Sequence, residues 1–221
     1  MPKSVHFSQS VERMNNNGGI FNGFMMHGKD GTVDKLPEGL VDMIPEGGII
    51  FPEGIYPEHY PITEDNGVYT PLHKRLIHTA ASKGAVVLPG SLRSPELGRL
   101  LSNPESVNEK DIVDKLYRLQ AIRERCAAMG VLAWYLAYTD LHPKAGEAGQ
   151  PVTVWGRTHG SSFTDMFDSI GVKPVDTIEW GGNPQGVDVI HLPAHSRRWT
   201  ESRLQKDFQS SLKMAKALLD K

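Results

Sequence analysis

The sequence predicts one α/β domain of three layers, with a mixed, largely parallel sheet flanked by helices. Two observations point there. Short apolar runs that end at a Gly or Pro turn occur four times, closing at Met26, Leu88, Trp155 and Leu192, as the buried strands of one sheet do. In addition, the strand Ala85–Leu88, the turn Pro89-Gly90-Ser91 and the capped start Ser94-Pro95-Glu96 follow one another as the βα connection that builds parallel sheets.

Composition limits what such a domain does. A chain of 221 residues with 39% hydrophobic and 23% charged residues is large enough for one well-buried core and is not disordered. Its 22 Gly and 15 Pro predict many turns. A net charge of -2 removes the electrostatic basis for binding nucleic acid or an anionic membrane. The single cysteine, Cys126, forms no internal disulfide, so the fold needs no oxidising compartment. With no run of 18 apolar residues and no N-terminal h-region, neither a membrane span nor a Sec signal is expected. The expected location is the cytoplasm of the producing cell, or a target cell reached without a Sec signal.

Along the chain, residues 1–17 are polar, with three consecutive asparagines, and are expected to be a flexible arm; residues 18–221 form the single α/β domain, with 90–150 as a helical insertion. The run from Ile20 to Met26 reads as a strand that exits into His27-Gly28. Met43–Ile44 and Gly48–Phe51 read as two short strands about the turn Pro45-Glu46-Gly47. Thr70-Pro71 starts a helix with Leu72, Leu76, Ile77 and Ala80 on one face and Gly84 just past its end. Ser106 and Glu109 make a capping box for a helix bearing Ile112, Leu116, Leu119 and Ile122, whose many charges read as a solvated face. Gly130 interrupts that pattern, and Val131–Tyr138 fits either more helix or a buried strand; Leu141–Gln150 reads as a polar loop. Pro151–Trp155 is a strand exiting through Gly156-Arg157-Thr158-His159-Gly160 into a helix with Phe163, Met166, Phe167 and Ile170 at helical spacing. Val187–Leu192 is a strand stopped by Pro193, and the last helix begins at Thr200 with Leu204, Phe208, Leu212, Ala215 and Leu219 inward.

Three strands therefore exit into histidines: His27-Gly28, His159-Gly160, and His191 to Ser196. In an open α/β sheet ligands collect at such carboxyl ends. An imidazole there exchanges a proton near neutral pH, and a following glycine lets the backbone turn and a substrate approach. The expected catalytic residues are His27, His195, Ser196 and His159, with His27 and His195 as acid/base pair and Ser196 or an activated water as nucleophile. Gly28, Arg157, Gly160, Arg197 and Trp199 are the expected substrate-binding residues, the arginines holding an anionic or carbonyl group. No metal is expected, because no His-x-x-x-His lies on a helix and His191 and His195 straddle Pro193. No cofactor is expected, since Walker and Gly-x-Gly-x-x-Gly loops are both missing. Ser91 is a further hydroxyl at a strand exit, with helix capping the competing role. Cys126 sits within helical periodicity and has no activating neighbour.

The order Met26-His27-Gly28, then Val41 to Gly47, then Asp65-Asn66-Gly67, and finally Val187 to Arg197 resembles the adhesin Stv domain of bacterial polymorphic toxins and secreted effectors. The likeness covers Phe24–Leu72 and Met166–Arg197. It is also similar to caspase-like peptidases, where one strand ends in His-Gly and its neighbour in Ala-Cys; here Ala194 is followed by His195, so no thiol nucleophile carries over and His27 alone does. The resemblance implies a toxin or effector domain with hydrolase-like activity on a host or target-cell protein or a small molecule. The competing expectation is a binding or adhesin module without chemistry.

Overall fold

The computed structural model describes residues 5–25, 38–63, 71–91, 109–156, 160–180 and 199–221. Its centre is a five-stranded sheet of β1 (Ile20–Met25), β2 (Ile49–Pro52), β3 (Val86–Val87), β4 (Val152–Gly156) and β5 (Val175–Trp180), in the order β3-β2-β4-β1-β5. All four strand pairings are parallel, in keeping with the largely parallel sheet expected, and no antiparallel pairing occurs among the described residues. Three of the four expected apolar runs are thus strands of one sheet, and the fourth, Val187–Leu192, lies outside the described residues.

Helices cover both faces, as a parallel sheet requires. The helices are α1 (Phe7–Asn16), α2 (Glu38–Met43), α3 (Pro71–Ser82), α4 (Glu109–Leu141), α5 (Pro143–Glu147), α6 (Gly160–Ser169) and α7 (Glu201–Leu219). The pleat divides the core in two. Ile20, Phe24, Ile49, Phe51 and Trp155 face α1, α4, α6 and α7, whereas Phe21, Ile50, Val152 and Val154 face α2 and α3. Each fully buried large side chain in these layers contributes roughly 1.5–3 kcal/mol, and Phe24, Phe51, Trp134, Phe163, Phe167 and Phe208 are all completely covered.

Several expectations are corrected. Residues 1–17 are no loose arm over Phe7–Asn16: Phe7, Ser10, Val11 and Met14 recur at helical spacing and are buried, and the His6 side chain accepts from the Ser8 amide to cap the helix. Two of the three asparagines that suggested a loop are anchors. Asn15 donates to the Gly171 carbonyl and accepts from the Lys173 amide, and Asn17 donates to the Tyr135 hydroxyl. Met43 ends a helix instead of starting a strand, because Leu40 and Ile44, four apart, bury one face together. The supposed insertion 90–150 contains the central helix of the domain. α4 runs unbroken through Gly130 for 33 residues, packs on α1, α6 and α7, and buries Ala127 to Met129 and Val131 to Ala137. The polar loop 141–150 contains α5. β5 was missed because its acidic residues Asp176 and Glu179 interrupt the apolar run.

The connectivity has a reversal in it. α2, between β1 and β2 in the chain, lies on one face, and α6, between β4 and β5, lies on the other. Since β1 and β4 are neighbours, their connections leave toward opposite faces. The carboxyl ends of such a pair are the place where doubly wound sheets bind ligands.

Candidate functional site at the carboxyl ends of the strands

The register fixes what stands side by side at these strand ends. Met25 pairs with Gly156 at the last step of the β1–β4 ladder. His27-Gly28 and Arg157-Thr158-His159 follow these two ends in sequence but lie, with His195, Ser196 and Arg197, outside the described residues. Gly160 opens α6. Trp199 is partly buried against the core, and the Arg125 guanidinium lies 4.1 Å from its ring centroid, so one face of the indole is occupied.

Around the next strand the geometry is explicit. β2 delivers Glu53 to the same end of the sheet, one residue past Pro52. The Glu53 amide donates to the Val154 carbonyl at 2.8 Å, which extends the β2–β4 ladder by one bond. Its carboxylate then reaches in two directions: Oε2 accepts from the Gly156 amide at 2.7 Å and Oε1 accepts from Arg123 Nη2 at 2.6 Å. The Glu53 carbonyl accepts from His73 Nε2 of α3 at 2.7 Å, which requires the proton on that ring nitrogen. Groups from β2, α3, α4 and β4 thus converge on one residue.

The turn beyond Glu53 is built to hold still. Gly54 sits at φ +80, a region glycine adopts without penalty, and its amide donates to Ser91 Oγ at 2.8 Å. Gly90 lets the chain after β3 come close, since a Cβ there would stand 2.6 Å from the Pro52 carbonyl oxygen. Ser91 is therefore a buried clamp on the β2 exit, and its hydroxyl is committed to a backbone amide.

Behind this edge α4 contributes charge to the interior. Among the described residues Glu124 and Arg125 are the charged side chains that are buried, and they are consecutive. Arg125 Nε donates to Asp207 Oδ2 of α7 at 2.7 Å, and Glu124 Oε1 accepts from Gln120 at 2.6 Å. The expectation of a merely solvated charged face on this helix is corrected at these positions. Buried charges are rare unless paired, and of three consecutive residues of α4 Arg123 is paired with Glu53 at the β2 exit, Glu124 with Gln120 of the same helix and Arg125 with Asp207 of α7. Cys126 is buried in the same helix, as a structural cysteine is.

Sequence reasoning passed over Glu53, His73, Arg123 and Arg125. The sequence signal for Glu53 was its place directly after an apolar run, the same signal that drew attention to His27 and His159. Arg123 and Arg125 carry no such signal, because a charge on a long amphipathic helix looks the same whether it meets water or a strand end. No helix among the described residues is long and apolar enough to cross a membrane. No family model matches the sequence, and no curated protein or solved structure is similar to it.

Proposed function

We propose that the carboxyl ends of β1 and β4 border the active site of a hydrolase-like domain of the bacterial toxin or effector type. The observation that carries this reading is the direct pairing of Met25 with Gly156 at the point where the two connections diverge. His27 is two residues past one end and His159 three past the other. At about 3.8 Å per residue, the chain keeps the Cα atoms of both histidines within roughly 12 Å of their strand ends. In this reading His27 and His195 exchange the proton, and Ser196 or an activated water attacks. Arg157 or Arg197 holds the carbonyl or anionic group.

The test compares His27→Gln, His195→Gln and the double variant with the parent chain. Growth arrest on expression and turnover of chromogenic ester and peptide substrates are measured, with thermal melts to show folding. Glutamine keeps size and hydrogen bonding but exchanges no proton near pH 7, so each single variant loses activity by about 10²–10⁴-fold. The double variant is hardly worse than either single one, since groups that act together are non-additive. Full activity in both single variants ends the proposal. Graded, additive losses of ligand affinity without turnover establish a binding module instead.

A further inference from the structure

Arg123 of α4 gives Glu53 one nitrogen of its guanidinium and keeps the rest of that group open. A guanidinium carries five N–H donors in one plane. Nη2 donates to Glu53 Oε1 at 2.6 Å, and among the described residues neither Nε nor Nη1 has a hydrogen-bond partner. These two nitrogens are not buried, and the side chain is 37% exposed. An arginine that serves only as a tie usually closes on its carboxylate as a fork on both oxygens. Here the second oxygen, Oε2, is used by the Gly156 amide, and Arg123 engages Oε1 through one nitrogen. Whichever Nη2 hydrogen Glu53 takes, the other completes a two-pronged edge with Nε or with Nη1.

We propose that Arg123 is a ligand-binding residue whose open edge takes an oxyanion, the carboxylate or phosphate group of the ligand of the strand-end site. This rests on reading the carboxyl ends of the strands as the site, and it names the chemistry the ligand carries. The place fits. Glu53 directly follows β2, which neighbours β4, and adjacent strands lie about 4.8 Å apart, so the guanidinium is held at the same end of the sheet. The side chain is also prepared for binding. A free arginine must be ordered when it meets an anion, whereas this one is ordered in the fold by a carboxylate that the Gly156 amide fixes in turn. That amide draws on the same carboxylate, so the charge of the guanidinium is only partly answered. Anchoring does not account for an arginine here, because an ion pair with side chains 37% and 19% exposed contributes little to stability.

The test is anion binding to the folded chain, read without any turnover. The Nε–Hε resonance of Arg123 is followed by NMR at mildly acidic pH as sodium phosphate is added at constant ionic strength, and sodium acetate is the second arm. Arg75, exposed on α3, is the reference for an ordinary surface arginine. The expected result is a saturable shift at Arg123 in at least one arm, with a Kd on the order of 1–10 mM, while Arg75 moves several-fold less and does not saturate. Saturation by phosphate alone assigns a phosphate group, by acetate alone a carboxylate, and by both an oxyanion of either kind. Arg123→Gln weakens the saturating anion by at least about tenfold, read on the backbone amides of Glu53 and Gly54. Arg123→Lys keeps a cation beside Glu53 but has no planar edge, and it weakens binding by at least about threefold. It decides the matter if Arg123→Gln does not melt as a folded protein. A shift at Arg123 no larger and no more saturable than that at Arg75, in both arms, overturns the proposal. So does a Kd within about twofold of the parent in the folded variants. Saturation at Arg123 in a chain that turns nothing over sinks the hydrolase reading and leaves the anion site standing, whereas turnover without saturation sinks the role of Arg123 alone.

Discussion

Two successive stretches of α4 are made of the same hydrogen-bonded helix and do different work. From Ala127 to Ala137 the described side chains are apolar or aromatic and buried around the whole circumference, so this half is a spine for α1, α6 and α7. From Gln120 to Arg125 the helix carries Arg123 to Glu53, Glu124 to Gln120 and Arg125 to Asp207. Packing alone does not explain that choice, since buried ion pairs can be replaced by well-fitted apolar groups at little cost or with a gain in stability. The difference teaches where specificity has been placed: the spine holds the domain together, and the polar stretch ties α4 to the β2 exit through Arg123 and to α7 through Arg125.

The largest effect is expected from the spine. Trp134 is fully buried, with its ring 5.2 Å from that of Tyr60, and Trp134→Ala leaves a large cavity costing about 3–5 kcal/mol. Urea unfolding measures the loss, and under native conditions exchange of the Gly156 amide stays as in the parent. A loss below about 1 kcal/mol, or altered Gly156 exchange, breaks the division between the halves. The polar half answers differently. Arg125→Met removes the nearer of the two cations beside Asp207 among the described residues and leaves Arg203 at 3.6 Å. The expected cost is about 2–3 kcal/mol, below the usual range for a broken buried pair because Arg203 remains. Adding Asp207→Leu should recover stability to within about 1 kcal/mol of the parent in the same urea experiment, since no uncompensated charge is left. A double variant as unstable as the single one would make Arg125 part of the spine.

These halves also show what the sequence could and could not reveal. The strands ending near Met26, Leu88 and Trp155 were legible because a buried parallel strand must be apolar on both faces and stop at a turn residue. The last helix was legible from Leu204, Phe208, Leu212 and Ala215, which are buried as their spacing requires. α1 was not legible, because its polar composition hid a narrow stripe of Phe7, Val11 and Met14. The site divides in the same way. Its location at strand exits follows from local pattern, but Glu53 meets His73, Arg123 and Gly156 across 20 to 103 residues of chain, and local pattern carries no information on such meetings. Their convergence depends on strand order, which is a property of the whole fold.

The smallest effect reports on the field of the polar half. Asp165 of α6 has its carboxyl pKa raised, first by partial burial, then by the carboxylates of Asp168 and Glu124. A raised carboxyl pKa means the folded chain binds that proton more tightly than the unfolded chain does. Stability therefore falls as pH rises from the ordinary value of 3.8 through the raised one, and the penalty is complete above it. Asp165→Asn removes the titrating group. The variant should melt higher than the parent at pH 7, by on the order of 1 °C given the exposure of the side chain. The gap should close as pH falls through this window and be gone below 3.8. In a Glu124→Gln background the gain should shrink without vanishing, because burial is the larger cause and survives the loss of that charge. A gain that is the same at every pH would mean that Asp165 responds to helix propensity alone. The charge of Glu124 would then not act on Asp165 from α4.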